Sequence, residues 1–101
     1  MTDFDDDDIT LKAERAAKQE IQAQRDIEDI QFVMGSEKGR RVIWEVLKQG
    51  KVFAPCFAVD PQVTAFNEGQ RNLALALFQR VMAHCPEQYL KMAAEASEDN
   101  V

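Results

Sequence analysis

From Ile9 to Met34 the chain runs without a single glycine or proline, and Ala, Glu, Gln, Lys and Arg fill most of it. Those residues lose little side-chain freedom in a helix, so one long helix is the dominant expectation. Its apolar residues fall at Ile9, Ala13, Ala16, Ala23, Ile27, Ile30 and Met34, in steps of 4, 3, 7, 4, 3 and 4. That is a heptad seam with one slot taken by Glu20. Alanines make its front half thin, so the seam alone holds weakly. Aspartates ahead of the helix start favour it through the macrodipole, and Gly35 offers a left-handed stop.

Three further helices follow from local signals. Ser36 is a capping residue with Glu37 in the first turn, and a second helix over about 37–49 presents Val42, Ile43, Trp44, Val46 and Leu47. Arg40, Arg41, Glu45 and Lys48 occupy much of its other face, and Gly50 ends it. Residues 51–59 are apolar but irregular. Phe53 and Phe57 are placed to anchor this loop, and Pro55 opposes a regular strand. Asp60-Pro61 combines a capping aspartate with a proline at the first helical position. The third helix then runs to about His84, with Val63, Phe66, Leu73, Leu77 and Val81 as its buried stripe, widened by Ala74 and Phe78. Cys85-Pro86 breaks it and opens a fourth helix to about Ala96, burying Tyr89, Leu90 and Met92 or Ala93.

The expected fold is an all-α domain of about four helices with a long N-terminal helix. Its parts are an acidic disordered arm over 1–8, the long helix over 9–35, a compact helical domain over 36–96 and a disordered tail over 97–101. Five of the first eight residues are aspartate, and such a segment buries nothing. A packed region of roughly 70 residues is near the lower limit for independent stability, which raises the expectation of a partner or a homo-oligomer.

The formal net charge of −6 is unevenly spread. Residues 1–20 carry seven acids against three bases, and residues 37–51 carry five bases (Lys38, Arg40, Arg41, Lys48 and Lys51) against two acids. Overall acidity argues against a nucleic-acid coat, because phosphate binding draws on Lys and Arg. The basic stretch keeps a local nucleic-acid or acidic-protein contact open without favouring it, and the acidic arm could equally fold back on it. No apolar run is long enough to cross a membrane, and the acidic N-terminus is unlike a signal peptide. Cys56 and Cys85 are too few for a disulfide scaffold, so both are expected reduced and partly buried in a cytosolic protein.

No chemistry stands out. His84, Cys85 and Cys56 are too few for a zinc site, and adjacent helical residues diverge by about 100°. The same histidine is the one candidate base for a thiol nucleophile and is badly placed for it. The aspartate run lacks the spaced ligands of a calcium loop. No catalytic residue, metal site or cofactor is therefore expected. Two segments remain as candidates for binding: Gly39, Arg40, Arg41 and Trp44 in the second helix, and Asn67, Glu68, Arg71 and Asn72 around Gly69 in the third. One reading is a polar network joining these helices, with Arg40 or Arg41 reaching Glu68. The other is a recognition surface for a protein partner. Gly69 costs about 1 kcal/mol relative to alanine in mid-helix, which a close-packed ring or backbone would explain.

These same segments carry a resemblance. Gly39-Arg40-Arg41 near Trp44, Leu47 with Gly50, Val52 and Phe53, the run Phe66-Asn67-Glu68-Gly69 with Arg71 and Asn72, and Pro86-Glu87 with Tyr89 are similar to a family of short tailed-phage proteins typified by a Bordetella phage member. The likeness covers roughly residues 27–92. Here Lys51 intervenes between the glycine and the Val-Phe pair, a departure that touches loop detail. The resemblance implies a protein encoded with phage capsid, portal and packaging functions, present in the host cytoplasm during assembly and then in the virion. Its expected role is structural, binding a larger component (portal, capsid inner face or ejection proteins) by helix packing. An acidic regulatory or packaging-accessory protein is the alternative.

Overall fold

The starts of the second and third helices fall where the local chemistry directs. The computed structural model describes residues 3–53 and 60–99, with side chains from Asp7 onward in the first helix. The expectations for Pro55, Cys56 and Phe57 fall outside the described residues. Four helices follow in order: α1 (Asp3–Met34), α2 (Glu37–Gln49), α3 (Pro61–His84) and α4 (Pro86–Asp99). The Ser36 hydroxyl accepts from the Gly39 N–H at 3.0 Å and caps α2. The Asp60 carboxylate accepts from the Gln62 N–H at 2.9 Å, ahead of Pro61, and caps α3. No strand occurs among the described residues, and the protein is all-α.

The ends extend further than expected. The arm assigned to residues 1–8 is helical from Asp3, so the aspartates form the first turns of α1 instead of preceding them. Acidic residues in the first turns of a helix are favoured by its dipole, which accounts for this outcome. The tail assigned to 97–101 is likewise helical as far as Asp99.

The division between a separate long helix and a compact domain starting at Ser36 also moves. Ile30 and Met34 of α1 are fully in the core, together with Ile43, Leu47, Val52, Ala74, Val81, Cys85 and Met92. The packed unit therefore begins inside α1, near Asp26, where Arg80 of α3 donates to the Asp26 carbonyl at 2.7 Å. Gln31 donates to the His84 carbonyl at 3.3 Å and ties the same two helices further along. Upstream, every residue from Asp7 to Asp26 is exposed. The 32-residue helix is about 48 Å long, and roughly two-thirds of it projects beyond the domain. This accounts for a radius of gyration of 19.7 Å and extents of 70 × 38 × 16 Å, where a compact chain of this length would show about 13 Å.

Two glycines sit where helices cross closely. A Cβ on Gly39 would stand 1.8 Å from the Val33 carbonyl oxygen, and one on Gly50 would stand 2.2 Å from the Ala74 Cβ. Gly35 does not adopt the left-handed conformation expected of it; Lys51 does, with φ 55°. The Lys51 N–H donates to the Lys48 carbonyl at 3.0 Å and the Val52 N–H to the Leu47 carbonyl at 3.2 Å. These are the paired bonds of a Schellman turn, with buried Val52 and Leu47 as its apolar partners. Lys51 therefore occupies the position that glycine prefers, and its Cβ strains it there. Lys51→Gly is expected to raise stability by about 1 kcal/mol, read as a higher chemical-denaturation midpoint with an unchanged slope.

Candidate functional site

The second helix delivers its two arginines to opposite fates. Arg41 lies on the surface and pairs loosely with Glu37 at 3.7 Å, one turn away. Arg40 turns inward and is 6% exposed. Its Nη1 donates to the Met34 carbonyl at 2.9 Å and to Gln88 at 3.4 Å. Its Nε and Nη2 both meet the Glu95 carboxylate, the second at 3.2 Å, a two-pronged pairing. One side chain thus closes the free end of α1 and clamps it, through α2, to α4. Hydrogen bonding to the guanidinium holds the Glu95 carboxyl below the usual carboxylate range, against the opposing effect of burial.

The network expected between α2 and α3 is therefore not the one that forms. Arg40 reaches Glu95 of α4, while Glu68 stays exposed on α3. Asn67 and Arg71 are half-buried and Asn72 is exposed. The sequence did carry a signal for Glu95: Gln88, Met92 and Glu95 recur at steps of four and three on the inner face of α4. Polar residues flanking a buried methionine at helical spacing need a partner. Arg40 supplies it.

Trp44 belongs to an aromatic cluster. It stacks on Phe53 at 5.6 Å; Phe53 meets Phe78 edge-on at 5.8 Å, and Phe78 meets Tyr89 edge-on at 5.4 Å. These rings fasten the start of the 51–59 loop to α2, α3 and α4, which is the anchoring expected of Phe53. Beside Trp44 a hollow of about 30 Å³ is lined by Arg40, Arg41, Met92 and Glu95. It has room for about one water molecule.

The apolar stripe assigned to α3 is only partly correct. Ala74 and Val81 are buried, and Leu77 and Phe78 pack on the core. Phe66 is 65% exposed and Leu73 is 77% exposed, with Val63 exposed as well. The helix is apolar on two faces over its first half, and only the face containing Ala74 turns inward. Leu90 of α4, also expected inside, is exposed. Gln70, Leu73 and Ala74 of α3 line a groove of about 150 Å³ with Val46 and Gln49 of α2 and with Gly50 at its end. Val42 is exposed on α2 itself.

Of the seam expected on α1, Ile30 and Met34 are buried and Ile27 is half-buried, whereas Ile9, Ala13, Ala16 and Ala23 face solvent. Only the back of the seam has an intramolecular partner. The Cys85 thiol is 2% exposed, and burial first, then the Glu87 charge, pushes its pKa up, the opposite of a reactive thiolate. Among the described residues no group of three His, Cys, Asp or Glu side chains could hold a metal ion. No described helix is long and apolar enough to cross a membrane.

No curated protein and no solved structure matches the chain. A family model does match, over residues 30–94, the span that holds the buried part of α1, Arg40, the aromatic cluster and the α2–α3 groove, and that stops one residue short of Glu95. On that match the chain belongs to the family of Bbp19-like phage proteins.

Proposed function

We propose that the protein is a non-enzymatic assembly component of a tailed phage. It attaches to a larger part of the particle, such as the portal, the inner face of the capsid or the ejection proteins, and passes from the host cytoplasm into the virion. The observation that carries this reading is the front half of α1. Some twenty consecutive residues, Asp7 to Asp26, form an exposed helix that carries the Ile9, Ala13, Ala16 and Ala23 seam, with Leu11 and Ile21 also exposed off that seam. A helix of that length is marginal alone in water and gains its stability by packing. Burial of Ile9, Ala13, Ala16 and Ala23 against a partner helix would supply it, and the aspartates at its tip would set register against a basic surface.

The competing reading, a regulator that touches nucleic acid through Arg40, Arg41, Lys48 and Lys51, is less well supported. Arg40 is committed to Glu95, Arg41 lies beside Glu37, and Lys48 lies 3.7 Å from Glu45. Little unpaired positive charge is left there to release counterions, and no duplex-DNA mobility shift is expected even at low salt. Mass spectrometry of purified particles tests the leading reading. The protein should be present at a fixed copy number, and its consistent absence from mature particles and assembly intermediates would overturn the proposal.

A further inference from the structure

Gly69 is the residue for which the single chain gives no account. It lies in the middle of α3, where glycine costs about 1 kcal/mol relative to alanine, yet a Cβ built on it meets nothing within 4 Å. The expected ring or backbone packed against it is not present. What surrounds it on the helix surface is an exposed stripe: Phe66, Gly69, Leu73 and Ala76, in steps of 3, 4 and 3. That is the spacing of a helix–helix seam. The two charged residues between Pro61 and Gln79, Glu68 and Arg71, lie off this seam, and its polar neighbours are Gln62, Gln70 and Asn72.

We propose that this face packs against the same face of a second copy, with the two α3 helices antiparallel and crossing at Gly69. The surface complements itself. An antiparallel pair centred between Gly69 and Gln70 sets Phe66 of each copy opposite Leu73 of the other. There the ring meets the 150 Å³ groove lined by Leu73, Gln70, Val46 and Gly50, large enough for a phenyl group. The two Gly69 residues then lie within one residue of the crossing, and their missing side chains let the backbones approach more closely than the usual 8–10 Å between helix axes. The patch also matters by size. Phe66, Leu73, Val63, Val42 and Val46 are large apolar residues left open on the surface, and together they expose on the order of 500 Å², near the limit that monomers tolerate. Two such faces approach the roughly 1,200 Å² of a small specific dimer. An uncharged face suits self-association in a chain of net charge −6, since like-charge repulsion is least there. The chain is also only 16 Å thick, and a second copy supplies the layer that packed helices ordinarily require.

The decisive feature is a difference in sign. Because nothing contacts Gly69 within one chain, Gly69→Ala should raise the stability of the isolated fold while weakening association. Sedimentation equilibrium over roughly 1–200 μM and thermal melts at low concentration read the two effects separately. The intact protein should form dimers in this range, and Gly69→Ala should raise the dissociation constant about tenfold while the dilute melt moves up. Phe66→Ser and Leu73→Ser should each weaken the dimer about tenfold or more with the helical circular dichroism kept, as expected for anchors at an interface. A protein that stays monomeric throughout would overturn the proposal. So would a dimer indifferent to all three substitutions, which would leave the front half of α1 as the self-association element.

Discussion

Gly39→Ala should unfold the domain or come close to it. The added methyl would stand 1.8 Å from the Val33 carbonyl oxygen and 2.8 Å from its carbonyl carbon. Both belong to the backbone of α1, so no side-chain rotation relieves the overlap. Either α1 and α2 separate by more than an ångström or the capping turn at Ser36 opens. Separation would loosen Ile30 and Met34 from Ile43 and Leu47 at the centre of the core. Opening the turn would lose the bond from the Gly39 N–H to the Ser36 hydroxyl, worth about 1 kcal/mol alone. Overpacking within a close-packed core costs about 1–3 kcal/mol, and a backbone obstacle puts this case at about 3 kcal/mol or more. For a domain near the size limit that is much of the total stability. Urea denaturation of Gly39→Ala beside Gly69→Ala makes the comparison clean: same change, same helix type, opposite signs.

Arg40→Ala should be the most damaging charge removal in the chain. It removes the side-chain donor to the Met34 carbonyl and to Gln88 and leaves Glu95 as a part-buried carboxylate without its guanidinium. Removing one member of a buried pair is worse than removing both, because the survivor keeps its desolvation penalty. The melting temperature is expected to fall by about 10 °C, while Arg41→Ala on the exposed side of α2 should change it by roughly 2 °C at most. Arg40→Met with Glu95→Met should recover much of the loss. The same pair gives a pH signature. Arg40 holds the folded Glu95 carboxyl below its unfolded value. Its stabilising contribution is therefore complete above the ordinary carboxylate range, and it disappears as the pH falls through the depressed folded value. Glu95→Gln should flatten this part of the acid-side stability curve, and an unchanged curve would mean that the pair contributes nothing.

The helices were legible in the sequence because each is marked locally. Ser36, Asp60-Pro61 and Cys85-Pro86 are read from neighbouring residues alone, and the structure places a helix boundary at each. What periodicity could not decide is which of two apolar faces turns inward. α3 offers Phe66 and Leu73 on one side and Ala74, Phe78 and Val81 on another, and hydrophobicity favours the larger residues. The core selects Ala74 instead, because α2 crosses there at Gly50 and only a methyl fits. That choice is a tertiary fact with no local signal. Arg40 was misplaced for a related reason: an arginine on a short amphipathic helix reads as surface until its carboxylate, 55 residues away, is found. The strain on Lys51 was hidden too, since the apparent stop signal was Gly50, one position early. The family resemblance noted over residues 27–92 corresponds closely to the match over 30–94, and both leave out the projecting half of α1.

The proposed role divides the chain in two, a family domain that folds by itself and a projecting helix that would attach it to the particle. The direct measurement is deletion of residues 1–24, followed by a thermal melt of the purified product and by its quantitation in particles assembled in its presence. The packing predicts a melting temperature within roughly 2 °C of the intact protein, since no residue from Asp7 to Asp26 is buried, together with loss of the protein from the particles. A deletion product that is unfolded, or one that enters particles at the full level, would contradict it.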